Sequence, residues 1–119
     1  DLGLVAEMCD QVAVMYCGRI IEKSSIQEIF NHPLHPYTRA LLDAIPVLDK
    51  HHGGHNGRLQ AIDGMVPPLH KLPIGCNFQD RCTNVAASCK IKKPLLEEKL
   101  PGHFVECFYP LTREGTSKY

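Results

Sequence analysis

Gln11-Val12-Ala13-Val14-Met15-Tyr16-Cys17-Gly18-Arg19-Ile20-Ile21-Glu22-Lys23 decides how the first third of the chain folds. Two β-favouring runs flank a Gly-containing pair, a pattern that predicts a β-hairpin turning at Cys17-Gly18. Upstream, Leu2, Val5, Ala6 and Cys9 fall on one helical face, so Leu2 to Cys9 reads as a short buried helix. A lone hairpin is marginal in water, so hairpin and helix are expected to pack on something outside this chain. Downstream, Ser25 and Glu28 have capping-box spacing and open a short helix through Ile26, Ile29 and Phe30. Pro33 and Pro36 interrupt it, and Pro36 suits the first turn of a second helix from about Tyr37 to Ile45. Tyr37, Ala40, Leu41, Ala44 and Ile45 form its apolar side, and Pro46 marks its end.

From Asp49 to Gly57 the composition shifts to His, Gly and Asn, which reads as a flexible connector. Beyond it, Arg58 to Asp63 suits a short strand, and Gly64, Pro67, Pro68, Pro73 and Gly75 mark a loop-rich region. His103 to Tyr109 reads as a strand and Arg113 to Tyr119 as a frayed end. The expected organisation is therefore residues 1–48 as a helix, hairpin and helices, 49–57 as a linker, 58–110 as a cysteine-rich extension and 111–119 as a disordered tail. The fold class is α+β: a small mixed domain followed by an irregular extension.

The chain has 119 residues, with 13 Lys and Arg against 13 Asp and Glu, a formal net charge of zero. Such a balance gives no electrostatic reason to bind nucleic acid or an anionic membrane. No apolar run approaches the roughly 18 to 20 residues of a membrane-spanning helix. The sequence begins at Asp1 without a basic-then-apolar leader, which reads as an internal or trimmed piece with no secretion signal.

Six cysteines in so short a chain favour metal binding over a disulfide framework when no leader is seen. Cys9 and Cys17 sit in the apolar N-terminal part and read as small core or turn residues. Cys76, Cys82, Cys89 and Cys107 are separated by five, six and seventeen residues, and four thiolates complete either a tetrahedral zinc or a 4Fe-4S cluster. Structural zinc sites usually use close C-x-x-C pairs, which are missing here. The wide intervals favour the cube slightly, because its irons present ligand positions farther apart than one ion does. The surrounding segment is rich in Gly and Pro and would gain from a metal staple. Phe78, Phe104 and Phe108 lie near the ligands in sequence, as shields for a cluster or simply as core. Four free thiols or two disulfides are the plainer alternatives.

Among the histidines, His51, His52 and His55 lie in the Gly-rich connector. His32 and His35 precede prolines and are expected to fix a turn. His103 stands four residues before Cys107 and is the alternative fourth ligand, though more ordinary structural roles are open to it. There is no G-x-x-x-x-G-K-S/T phosphate loop, G-x-S-x-G elbow, H-E-x-x-H or G-x-G-x-x-G, and no evident acid/base carboxylate pair. The chain alone is expected not to be an enzyme.

Three segments carry a family resemblance. Asp1-Leu-Gly-Leu-Val-Ala6, followed by Cys9 through Glu22, resembles the end of an ABC ATPase nucleotide-binding domain. In that family the switch histidine contacting the γ-phosphate would immediately precede Asp1. The phosphate loop, signature motif and catalytic glutamate would lie further upstream. Asn31-His-Pro-Leu-His-Pro-Tyr-Thr-Arg-Ala-Leu-Leu-Asp-Ala-Ile-Pro46 resembles the His-Pro-Tyr segment of oligopeptide and dipeptide transporter ATPases. Gly75 to Cys82, through Cys89, to Pro101-Gly-His-Phe-Val-Glu-Cys107 resembles the cysteine-bearing extension of the same subfamily.

The resemblance implies the C-terminal part of an ATP-binding subunit at the cytoplasmic face of the cell membrane. ATP and Mg would be bound by the parent subunit. Its partners would be a second ATP-binding subunit and two membrane permeases, and its cargo peptides, or nickel and other small solutes in some members. It also implies a 4Fe-4S cluster on Cys76, Cys82, Cys89 and Cys107, with a structural role preferred over a redox-sensing one. A zinc-stabilised interaction module and a small iron-sulfur electron carrier are the competing readings.

Overall fold

A computed structural model describes residues 10–45 and 62–112. The expected Leu2–Cys9 helix, the 49–57 connector, most of the Arg58–Asp63 strand and the 113–119 end lie outside these residues. Ile62 and Asp63, the described part of that strand, have no regular structure.

The hairpin forms as expected. Strand β1 (Gln11–Tyr16) alternates strictly, with Val12, Val14 and Tyr16 inward and Gln11, Ala13 and Met15 outward. Strand β2 (Arg19–Ser25) pairs with it antiparallel, from Gln11 opposite Ser25 to Tyr16 opposite Arg19. Cys17 and Gly18 form the two-residue turn with φ of 51° and 77°. Positive φ at both positions matches the right-handed twist of the flanking strands, and Gly18 adopts it without steric cost. The register skips one residue of β2 opposite Val14 and Met15, leaving Ile21 unpaired as a β-bulge. The bulge breaks the alternation, so Ile21 and Glu22 are both buried.

The hairpin also has a partner within this chain. The second edge of β2 pairs with β4 (His103–Glu106), Glu22 opposite Val105 and Lys23 opposite Phe104. On the far side β4 pairs with β3 (Leu96–Leu100), giving one antiparallel sheet in the order β1-β2-β4-β3. Strands from both sides of the 49–57 stretch thus share one sheet. β3 escapes a pattern search because Leu96-Glu-Glu-Lys-Leu100 does not alternate. As an outer strand exposed along most of its length, it is defined by β4 rather than by a buried face of its own. Its charges also discourage further edge pairing. The strand predicted over His103 to Tyr109 ends earlier, at Glu106.

Helix α1 (Ile26–Asn31) starts at Ser25, whose hydroxyl accepts the Glu28 N–H at 3.2 Å. This is the capping bond expected from the spacing. Helix α2 (Pro36–Asp43) opens with Pro36 in its first turn, after the N-cap His35. His35 Nδ1 accepts the Tyr37 N–H at 3.0 Å, so the turn-fixing role read from the His-Pro pair holds for His35. The region 64–75 carries only a 3-10 turn (Leu69–Lys71) and a second follows at Ala87–Lys90, in keeping with its Pro and Gly content.

The apolar core lies on one face of the hairpin. Val12, Val14, Tyr16 and Ile21 meet Ile29 of α1 and Phe78 from the cysteine-bearing segment. Cys76 and Cys82 pack against this core. Tyr16, Tyr37 and Phe78 stack with ring centroids 4.6 to 5.3 Å apart, a spacing at which aromatic pairs attract. Arg81 lies 5.9 Å above both Tyr16 and Phe78, and its guanidinium donates to the Tyr16 hydroxyl and to the carbonyls of Ile62 and Asp63. No helix among the described residues is long and apolar enough to cross a membrane.

Candidate metal centre

The second half of the sheet is fastened to the first by a buried cluster of hydrogen bonds around Glu22. Glu22 is completely buried, and its two carboxylate oxygens accept the N–H groups of Leu34 and His35 at 2.8 and 2.9 Å. The same carboxylate meets His103 Nε2 on β4, and the Glu28 carboxylate lies 3.8 Å from His103 Nδ1. His103 is therefore a partner of Glu22, not a substitute metal ligand, and it does not border the cysteines.

His35 continues the connection toward the cysteines. While Nδ1 caps α2, the ring also makes a backbone hydrogen bond to Glu106, the residue before Cys107. Complete burial pulls the imidazole down to about 4, and the nearby Glu22 charge opposes this only in part. With a donor already pointed at Nδ1, the neutral ring is the form the site is built for.

Around this frame the four cysteines read from the sequence come together. Cys76, Cys82, Cys89 and Cys107 all border one small apolar hollow that is open at its mouth. The remaining walls include Pro36, Phe78, Val85, Pro94, Phe108 and Tyr109. Phe78 is buried and Phe108 half-exposed at the rim, whereas Phe104, the third suggested shield, does not line the hollow. Cys17 lies in the hairpin turn, its Sγ 3.9 Å from the Pro67 carbonyl, and is not part of the wall. Cys9 is outside the described residues, as are His51, His52 and His55.

The loops carrying the thiols are fixed largely by polar contacts. The Cys76 N–H donates to the Cys89 carbonyl at 2.7 Å, so two of the cysteine loops are laced backbone to backbone. Gly75, at φ +87°, permits that approach, since a Cβ there would stand 2.2 Å from the Cys89 oxygen. Ser88 and Tyr109 share a 2.7 Å hydrogen bond that joins the Cys89 turn to the segment after Cys107.

Burial raises the Cys76 thiol, pushes Cys82 up to about 11 and Cys107 up to about 12. The neighbouring thiols push in the same direction, because each thiolate would repel the next. Backbone N–H groups two residues on oppose the shift: Phe78 for Cys76, Asn84 for Cys82 at 3.2 Å, and Tyr109 for Cys107. Burial thus holds Cys76, Cys82 and Cys107 as thiols, while a backbone amide points at each of these three sulfurs.

Among the described residues, no three His, Cys, Asp or Glu side chains are close enough to share a single metal ion. A single tetrahedral zinc, with Zn–S bonds of about 2.3 Å, would require the loops to close inward.

Sequence reading identified the four cysteines but missed the supports around them. Glu22 interrupts an apolar strand, and Gly75 immediately precedes Cys76. Both signals are local, but their meaning depends on strands and loops more than a dozen residues away.

Curated relatives align with most of the chain. It is 45% identical over 108 residues to a probable peptide ABC transporter ATP-binding protein of Sinorhizobium fredii, covering 91% of this chain and 31% of the relative. It is 44% identical over 108 residues to the oligopeptide transport ATP-binding protein AppD of Bacillus subtilis, covering 91% and 32%. With OppD of Escherichia coli the identity is 41% over 111 residues, covering 93% and 32%. The chain therefore spans about a third of the length of these relatives. Residues 21–89, from the buried half of the hairpin through the third cysteine, match the family described as the C-terminal region of oligopeptide/dipeptide transporters, and the chain belongs to that family.

Proposed function

We propose that this chain is the C-terminal region of the ATP-binding subunit of a peptide-importing ABC transporter, with a 4Fe-4S cluster held by Cys76, Cys82, Cys89 and Cys107. The relatives, named as peptide or oligopeptide transport ATP-binding proteins, support the first part. The observation that carries the second is the gathering of four cysteines, distant in sequence, around one apolar hollow. On this reading residues 1–48 end the nucleotide-binding domain and 58–110 form the cysteine-bearing extension. The parent subunit binds ATP and Mg, pairs with a second ATP-binding subunit and works on membrane permeases from the cytoplasmic face.

Within this region each residue has a defined task. Glu22 and His103 fasten β2 to β4, and His35 fastens the His-Pro-Tyr segment to the backbone before Cys107. Phe78, Pro94 and Phe108 keep water from the sulfurs, and the amides of Phe78, Asn84 and Tyr109 steady them as thiolates. When bound, the cluster supplies four covalent links between loops that have little regular structure, together with a one-electron redox centre. The structural task is preferred because four-thiolate sites without an open position are usually staples.

Two experiments test the two parts. Deleting the gene is expected to abolish uptake of a labelled oligopeptide, with recovery on reintroduction. Undiminished uptake contradicts the importer reading. The full subunit with all four cysteines changed to Ser is expected to unfold at lower temperature while each folded complex hydrolyses ATP within about twofold of the wild-type rate. Unchanged thermal stability contradicts the staple role.

A further inference from the structure

We infer that Lys93 is a positioning residue of the four-cysteine centre, fixing the loop that presents Cys76 and placing a positive charge beside it. The inference rests on the cluster reading for its second half only. Lys93 Nζ donates to the Gly75 carbonyl at 2.7 Å, the Pro73 carbonyl at 3.4 Å and the Asn77 side-chain oxygen. An ammonium has three N–H donors and no acceptor, so three oxygens satisfy it. These acceptors come from residues 73, 75 and 77, which bracket Cys76 on both sides.

The cage is unlike a solvated surface lysine. Asn77 is buried, Lys93 is half-buried, and no carboxylate takes part. The side chain enters from the segment after Cys89 and holds the same loop that the Cys76–Cys89 backbone bond holds. Bonded to Gly75 and Asn77, the residues on either side of Cys76, the ammonium places its charge beside that cysteine. Arg81, next to Cys82 in the chain, is engaged by Tyr16, Ile62 and Asp63 instead. Four thiolates around a metal group carry excess negative charge, and a fixed ammonium beside one of them favours the more reduced, more negative state.

The test compares wild type, Lys93→Met, which keeps a comparable stem without charge, and Lys93→Arg, which keeps the charge. In the metal-free chain, amide exchange at Cys76 is expected to quicken about tenfold in Lys93→Met, with Val105 in the β2–β4 ladder unchanged. Equal exchange at Cys76 in wild type and Lys93→Met overturns the clamp. After anaerobic reconstitution, Lys93→Met is expected to lower the midpoint potential by the equivalent of about a tenfold change in the oxidised-to-reduced ratio, ~59 mV for one electron. Lys93→Arg is expected to remain within about twofold of wild type by the same measure.

A faster Cys76 exchange with an unshifted potential overturns the charge effect and leaves Lys93 as a loop staple. A wild-type chain that takes up no iron contradicts the cluster reading and the charge effect with it. The exchange measurement on metal-free protein still decides the clamp.

Discussion

Residues 10–45 and residues 62–112 are held together by different means. In the first region apolar side chains at strand and helix spacing make a continuous core of Val12, Val14, Tyr16, Ile21 and Ile29, with Met15 and Ile20 as its exposed large apolar residues. The second contributes Phe78 to that core and buries Val105 and Leu111, but leaves Met65, Leu69, Ile74, Ile91 and Leu95 mostly exposed. What it has instead are point fixings: Glu22 with His103, His35 with the Glu106 backbone, Lys93 in its oxygen cage, and the Cys76–Cys89 backbone bond. A region that buries little of its own apolar surface gains most from a covalent or metal cross-link.

Removing the fixing between the regions is expected to have the largest effect. Glu22→Ala leaves His103 and the N–H groups of Leu34 and His35 without their acceptor, and is expected to cost about 3–5 kcal/mol in denaturant unfolding. A loss under about 1 kcal/mol indicates that the regions are joined mainly by apolar packing. Gly75→Ala forces a side chain into a left-handed position against the Cys89 carbonyl, with an expected cost of about 3 kcal/mol. Hydrogen exchange separates its site of action: faster exchange is expected around Cys76 and Cys89, not in β1 and β2. Uniform loosening argues that the two regions do not differ in this way.

The next effect is a pH dependence. His35 is held near 4 in the folded chain, against an ordinary value of 6.5, so in that window the unfolded chain binds a proton that the folded chain refuses. Stability therefore falls as pH drops below 6.5. The His35 contribution is about 2 kcal/mol between pH 7 and pH 5. His35→Asn, which retains a capping side chain, is expected to flatten the curve by that amount. An identical slope in wild type and variant refutes a His35 contribution. The smallest effect belongs to the exposed pair Arg39 and Asp43, 3.4 Å apart on α2. Arg39→Ala is expected to change stability by no more than about 0.5 kcal/mol.

The same contrast explains how far the sequence could be read. The hairpin, Ser25 cap and Pro36-led helix are written in local patterns: alternation, a cap three residues ahead, and a proline where an N–H is dispensable. The four cysteines stand out by residue type and crowding. β3 has no signature because its neighbour, not its pattern, makes it a strand. The β2–β4 pairing joins residues about eighty apart, and no spacing rule anticipates that Glu22 will meet His103. Lys93 looks like any surface lysine until the loop around Cys76 supplies three oxygens.

Iron and acid-labile sulfide, measured together with a visible spectrum on chain purified without exposure to air, test the central claim most directly. The account predicts iron and sulfide in equal amounts, about four of each per chain, lost when the four cysteines are changed to Ser. Zinc without sulfide in such a sample, or no metal at all, contradicts a 4Fe-4S cluster at Cys76, Cys82, Cys89 and Cys107.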